Sequence, residues 1–339
     1  MEFYSLTRQA LADVLAQEFA QPQFRADQLF RWVYREKLTD FSAMTDISKE
    51  LRSGLAGRFA FSRAEIAQRE ISRDGTRKYL LEMEGGDLVE AVMIKQPKRT
   101  TLCLSSQVGC AMACAFCRTG TMGLKRNLSA SEIIRQVLAV IDDARNFGDM
   151  FQNIVFMGMG EPLHNYKPLI AALEILKDPH GLNISGRKIT VSSVGLVPAI
   201  ERFGKSGVEV NLAISLNATT DQVRREIMPI TKAYPISDLL QCLRNFPLRK
   251  RKRITIEYVM LSGVNDSKED LQRLPLLLKG LPVKINLIPY NNNAELGFRA
   301  PSKELLLVWQ DRLLRSGIET TIRWSKGGDI KAACGQLAT

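Results

Sequence analysis

The sequence predicts an α/β fold, a (βα)6 barrel that is open or complete, preceded by a small helical region with a β extension. Three observations predict it. From about residue 100 onward, apolar and β-branched runs alternate with segments of helical periodicity, the pattern of parallel strands covered by helices. The first 85 or so residues have mainly helical spacing instead. Between the two lies a stretch of period-two alternation broken by a glycine pair.

Taken in chain order, Phe24, Leu29, Phe30, Trp32 and Val33 recur at helical spacing in PQFRADQLFRWVYREKL, as amphipathic helices require. KYLLEMEGGDLVEAVMI alternates on both sides of Gly85-Gly86, which reads as a hairpin. Residues 1–85 are therefore expected to form a helical accessory domain with its β extension, and 86–339 the barrel with a C-terminal cysteine segment. Strands are expected at 100–106, 153–158, 188–193, 208–216, 253–261 and 283–290, with a last one at 318–324. In SASEIIRQVLAVIDDARNFG, Ser129 and Glu132 have capping-box spacing ahead of a helical apolar repeat. A barrel of this kind carries its site at the C-terminal ends of the strands.

At 339 residues the chain is long enough for about two domains. It has no apolar run of about 18 residues, so no integral membrane protein is expected. Its start, MEFYSLTRQALADVL, lacks a basic segment leading into an apolar one, which points away from a secretory signal and toward the cytoplasm. Six cysteines would stay reduced there, favouring metal binding or catalysis over a disulfide framework. Only two histidines, His164 and His180, are present, which weakens any multi-histidine zinc site. The net charge is +11, with 17 basic against nine acidic side chains in 241–339 and eleven against seven in 61–130. Local positive fields of this kind suit a polyanion, most simply nucleic acid. The two runs singled out are Arg249 to Arg253, and KQPKR with Arg118, Lys125 and Arg126 around the cysteine loop.

Directly after the first barrel strand, Cys110, Cys114 and Cys117 form CxxxCxxC. Thiolates suit zinc or iron-sulfur centres. A structural zinc site closes with four ligands, and no fourth cysteine or histidine follows at short range. A [4Fe-4S] cluster on three protein thiols leaves one iron open. The next strand ends in FMGMGEP, where a dinucleotide fingerprint would need glycine at position 163 and has Leu163. Further strand ends carry Ser192 and Ser193, then Ser215 and Asn217, then Asn291, donors and acceptors suited to a ribose or carboxylate, or to capping the helices that follow.

The CxxxCxxC loop, with Phe116 before its last cysteine, resembles the radical S-adenosylmethionine (SAM) superfamily. VEAV around Glu90, CLSSQVGCAMACAFC, RNLSASEII, FMGMGEP, ITVSSVGLVP, REIMPITKAYPI, IEYVMLSGVND, KINLIPYN and GDIKAACGQLA narrow this. Together they resemble the dual-specificity rRNA and tRNA adenine-C2 methyltransferases of the RlmN type and, more distantly, the adenine-C8 enzyme Cfr. The resemblance spans nearly the whole chain and implies the partial (βα)6 barrel of radical-SAM enzymes.

It implies a cluster on Cys110, Cys114 and Cys117, and SAM on Gly160, Glu161, Ser192, Ser215, Leu216, Asn217 and Asn291. It implies methylation of adenosine carbon 2 in 23S rRNA and in tRNA, with carbon 8 as the alternative, and consumption of two SAM molecules per turnover. Cys334 would be methylated by one. The second would yield a 5′-deoxyadenosyl radical that takes hydrogen from the S-methyl group, and the resulting carbon radical would add to the base. Cys103 would help release the adduct through a Cys103–Cys334 disulfide, and Glu90 would accept a proton. The chemistry is coherent, because adenine carbon 2 is electron-poor and cannot attack a methyl donor. An external electron donor of the flavodoxin or ferredoxin type and a monomeric state complete the expectation. One residue departs: Asn217 stands where the family usually has histidine, which keeps a ribose hydrogen bond but puts proton transfer there in doubt. Cys242, on an expected helix, reads as core. An RNA-binding protein with a structural metal is the non-enzymatic alternative.

Overall fold

A computed structural model describes residues 1–293 and 295–338. Its strands are β1 (Glu65–Ile71), β2 (Arg77–Glu82), β3 (Leu88–Gln96), β4 (Arg99–Cys103), β5 (Gln107–Gly109), β6 (Leu124–Asn127), β7 (Asn153–Phe156), β8 (Ile189–Ser193), β9 (Asn211–Ser215), β10 (Ile254–Met260), β11 (Val283–Pro289) and β12 (Thr320–Ile322). Ten of them form one sheet in the order β1-β2-β3-β4-β7-β8-β9-β10-β11-β12. The first four pair antiparallel and the rest parallel. Strand order is linear from β1 to β12, so the barrel is open. The six expected barrel strands and the seventh each occur, ending one to three residues short of the expected bounds at one or both ends, with β4 beginning one residue earlier than expected. The turn at Glu84–Gly86 joins β2 to β3, and β1 to β3 extend the same sheet that carries the barrel.

The strands alternate in a way that decides where the cavity lies. In β11, Val283, Ile285 and Leu287 are buried while Lys284, Asn286 and Ile288 are half-buried. β7 and β8 repeat the pattern, with Asn153 and Val155, then Thr190 and Ser192, on the more open face. The apolar face packs outward under the helices and the polar face turns inward. A barrel filled by branched apolar side chains would show the reverse. Helix Ala130–Arg145, started by the Ser129/Glu132 capping box, covers the sheet with Ile133, Ile134, Val137 and Val140 fully buried.

In the N-terminal region, helix Phe24–Phe30 buries Leu29 and Phe30, and the turn after it buries Val33. Phe24 stays 51% exposed, because it stands at the first position of its helix, away from the aromatic core of Phe3, Tyr4, Phe30, Tyr34 and Phe59. Arg8 reaches Asp27 at 2.6 Å and Asp178 at 2.8 Å, tying this region to the barrel. No helix among the described residues is long and apolar enough to cross a membrane.

Candidate active site

Cys110 follows β5, whose pairing with β6 needs glycine at position 109. Its φ is +75° and a Cβ there would lie 1.9 Å from the Gly123 carbonyl oxygen. Cys110, Cys114 and Cys117 line one wall of a cavity at the C-terminal ends of β7, β8, β9, β10 and β11. Cys110 and Cys117 both act electrostatically on Cys114, so the three thiols share one neighbourhood, as the ligands of a single cluster must. Burial raises all three thiols, Cys110 to about 12, and the neighbouring cysteines push Cys114 further. Thiols held so become ligands only beside strong positive charge, which iron supplies. The donor set therefore fits the cluster that the sequence suggests.

Opposite the cysteines, Gly160 has φ +99°, and a Cβ would lie 2.6 Å from Gln107 Cβ. The close approach lets Gln107 Oε1 accept the Glu161 N–H at 2.8 Å. Glu161 is buried, and its two oxygens accept the backbone N–H groups of Leu163 and Val194 at 3.1 and 2.9 Å. Burial raises its carboxyl to about 7, with those hydrogen bonds pulling the other way. Glu161 thus fixes the ends of β7 and β8 against each other while bordering the cavity.

Ser192, Ser215, Asn217 and Asn291 also line this cavity. Ser192 Oγ donates to the Phe156 carbonyl at 2.7 Å. Asn217, in the left-handed region at φ 57°, accepts the Val259 N–H at 2.8 Å and directs its amide nitrogen at the Met228 sulfur, 3.3 Å away. A sulfur is a weak acceptor, so this amide keeps donor capacity for a ligand. Leu216 is the exception. Strand alternation turns its side chain into the core, fully buried, and it is not on the cavity wall.

The C-terminal segment crosses the mouth. Asn291 Nδ2 donates to the Cys334 carbonyl at 3.0 Å, the Arg118 N–H to Gly335 at 2.8 Å, and Thr119 Oγ1 to Leu337 at 2.7 Å. Ala338 donates its N–H to Glu90 Oε2 at 2.7 Å. Glu90, on β3, is buried, which raises its carboxyl, offset mainly by Lys78 at 3.3 Å.

Cys334 borders this cavity and a second one deeper in the barrel, together with Met157, Glu257, Ile288 and Asn291. It is an exposed residue crowded by the cavity walls. Desolvation raises its thiol, the Glu257 carboxylate adds to this, and Arg323 opposes it. Cys103 lies in β4 opposite Val92 and Val155, buried and raised by desolvation, with Cys334 as its next largest influence. The two outlying cysteines are thus within electrostatic reach of each other. Both are free thiols, however, so the disulfide expected between them is absent. Cys103 is held by sheet pairing and Cys334 by the anchored tail. Cys242 is buried as expected.

Two residues were missed. Glu257 is a lone carboxylate in an otherwise apolar strand, held by Asn286 Nδ2 at 2.9 Å. Its signal was that charge inside IEYVML. Arg224, fully buried, gathers the carbonyls of Val194, Ser215 and Leu216 at 2.6, 3.1 and 2.9 Å. No local pattern announces it. The basic runs also sort differently from expectation. Arg118 pairs with Glu295, Lys125 with Asp87, and Arg126 with both Asp87 and Glu132. KQPKR does not flank the cysteine loop. It spans the β3–β4 turn at the other end of the barrel.

Comparison with known proteins agrees with this geometry. Residues 104–274 match the Radical SAM superfamily. Residues 1–60 match the ribosomal RNA large subunit methyltransferase N-terminal domain. The dual-specificity RNA methyltransferase RlmN of Geobacter sulfurreducens is 51% identical over 93% of this chain and 86% of its own length. That of Syntrophotalea carbinolica is 47% identical over 99% and 89%. A crystal structure of a radical SAM methyltransferase from Sphaerobacter thermophilus, 42% identical, superposes with a TM-score of 0.91 over 99% of both chains. The chain belongs to the radical SAM superfamily and, within it, to the RlmN family of dual-specificity RNA methyltransferases.

Proposed function

We propose that this enzyme methylates carbon 2 of adenosine in 23S rRNA and in tRNA, with Cys334 as the methyl carrier and two SAM molecules used per turnover. The observation that carries the reading is that Cys334 borders both the cysteine-lined cavity and the deeper one. A group that takes a methyl from one ligand and passes it to another must face both. Cys110, Cys114 and Cys117 hold the [4Fe-4S] cluster, and the Gly160-Glu161 turn, Ser192, Ser215, Asn217 and Asn291 hold SAM, with Leu216 contributing main chain alone. When bound, cluster and SAM supply an electron relay and a hydrogen-abstracting radical, fed by an external donor of the flavodoxin or ferredoxin type. Cys334 loses its thiol proton and takes the methyl group. Glu90 accepts a proton, with Lys78 at 3.3 Å opposing the rise that burial gives its carboxyl. Cys103 is the second thiol, which helps release the protein–RNA adduct. The enzyme works as a monomer in the cytoplasm.

The test is nucleoside mass spectrometry of 23S rRNA and tRNA transcripts after anaerobic incubation with reconstituted enzyme, SAM and reductant. 2-Methyladenosine is expected in both. 8-Methyladenosine alone overturns the regiochemistry, and SAM cleavage without any methylated adenosine overturns the substrate assignment.

A further inference from the structure

The deeper cavity differs from the first in charge and in direction. It opens at the N-terminal ends of the parallel strands, where Arg99 begins β4, Arg187 and Lys188 precede β8, and Lys284 is the second residue of β11. Arg323, just after β12, joins them, and a sixth cation on this wall, Lys326, pairs with Asp74 at 3.9 Å. None of the first five has an ion-pair partner among the described residues, whereas the cations beside the cysteine loop are all paired. The one carboxylate on this wall among the described residues is Glu257, at the boundary with the SAM-side cavity. Unneutralised cations around a recessed polar space concentrate a polyanion. The wall also carries Trp324, 47% exposed. A flat indole beside a cationic groove is what unpaired nucleotides stack on.

At the opposite end the cations beside the cysteine loop are already paired. There the tail is tied over the mouth through Arg118, Thr119, Asn291 and Glu90. Lys284 and Ile288, the latter on both cavity walls, are four residues apart on β11, which sets the cationic mouth about 13 Å along the strand from the boundary between the cavities.

We propose that RNA reaches Cys334 through the N-terminal end of the barrel, with Trp324 stacked on a base beside the target adenosine and Arg99, Lys284 and Arg323 on its phosphates. SAM and RNA then meet Cys334 from opposite sides. This rests on the RNA-methyltransferase reading above.

The test uses the reconstituted wild-type enzyme and a stem-loop RNA with an unpaired adenosine flanked by 4-thiouridine. Photo-crosslinks are expected in peptides containing residues 95–99, 187–188, 284 or 323–326. Crosslinks confined to other peptides, such as 118–126, overturn the proposal. In parallel, Trp324→Ala is expected to weaken RNA binding by about tenfold or more, with Trp324→Phe keeping most of it. Arg323→Ala and Lys284→Ala are each expected to reduce the log–log salt slope of binding by about one. Wild-type affinity and slope in all of these variants overturn it equally. Nucleoside analysis of the same wild-type reaction separates the two claims. Methylated RNA with crosslinks at the cysteine end sinks this route alone, whereas unmethylated RNA sinks the function on which it rests.

Discussion

Gly160→Ala perturbs a turn on the wall of the cysteine-lined cavity, and its cost is worked from the backbone. At φ +99° the position lies beyond the small left-handed region that other residues tolerate, a strain of about 1–3 kcal/mol. The new methyl would also meet Gln107 Cβ at 2.6 Å, its Cγ at 2.8 Å and its backbone nitrogen at 2.9 Å. Gln107 has little freedom to retreat, because its side chain accepts the Glu161 N–H and donates to Asn127 at 2.7 Å. Relieving an overpacked contact costs about another 1–3 kcal/mol. The expected total is about 2–6 kcal/mol, read as the loss of unfolding free energy in anaerobic urea titrations. SAM affinity, read by equilibrium dialysis, should fall at least tenfold, because moving Gln107 releases Glu161 and the turn it fixes. Gly207→Ala is the control. Its φ is +72° but no atom lies within 4 Å of the new Cβ, so it carries the backbone cost alone, about 1–2 kcal/mol. If Gly160→Ala cost no more than Gly207→Ala and bound SAM normally, the close-approach argument would be wrong.

Three further outcomes are expected. Burial lifts the Glu161 carboxyl from 4.5 to about 7, so the folded state binds more protons than the unfolded one between those values. Stability therefore declines as pH rises through that window, by about 3 kcal/mol at most. Glu161→Gln should flatten that slope in pH-dependent urea titrations, even though it lowers stability overall by losing one backbone acceptor. Lys78→Met removes the cation 3.3 Å from Glu90, pushing the Glu90 carboxyl further up. The acidic limb of the methylation pH–rate profile should move to higher pH, and an unmoved limb removes Glu90 from the proton-transfer role. Cys103→Ala should accumulate a covalent protein–RNA species visible as a shifted band on denaturing gels. Normal turnover by this variant, shown to cleave SAM, excludes Cys103 from adduct release.

Much of the fold was legible because it is written in local periodicity. The barrel strands, the Gly85-Gly86 hairpin and the Ser129 capping box each depend on residues a few positions apart, so spacing alone located them. CxxxCxxC is equally local. Neither the inward turn of the polar strand faces nor the openness of the barrel follows from local spacing. Helical spacing overreached at Phe24, where the end of a helix leaves an apolar ring in solvent.

The sequence by itself determined the class of chemistry, because three thiols in one loop and two outlying cysteines in recognisable segments need no coordinates. Only the tertiary structure decided how those groups are served. Glu257 meets Asn286 across two strands, Lys78 meets Glu90 across a hairpin, and Arg224 collects carbonyls from two separate strand ends. Likewise, cations that look alike in the sequence lie at opposite ends of the barrel: Arg118, Lys125 and Arg126 are ion-paired beside the cysteine loop, whereas Arg99, Lys284 and Arg323 have no ion-pair partner among the described residues. The physical reason is that charge and hydrogen bonding act through space at a few ångströms, and strand direction and register set which residues share those ångströms.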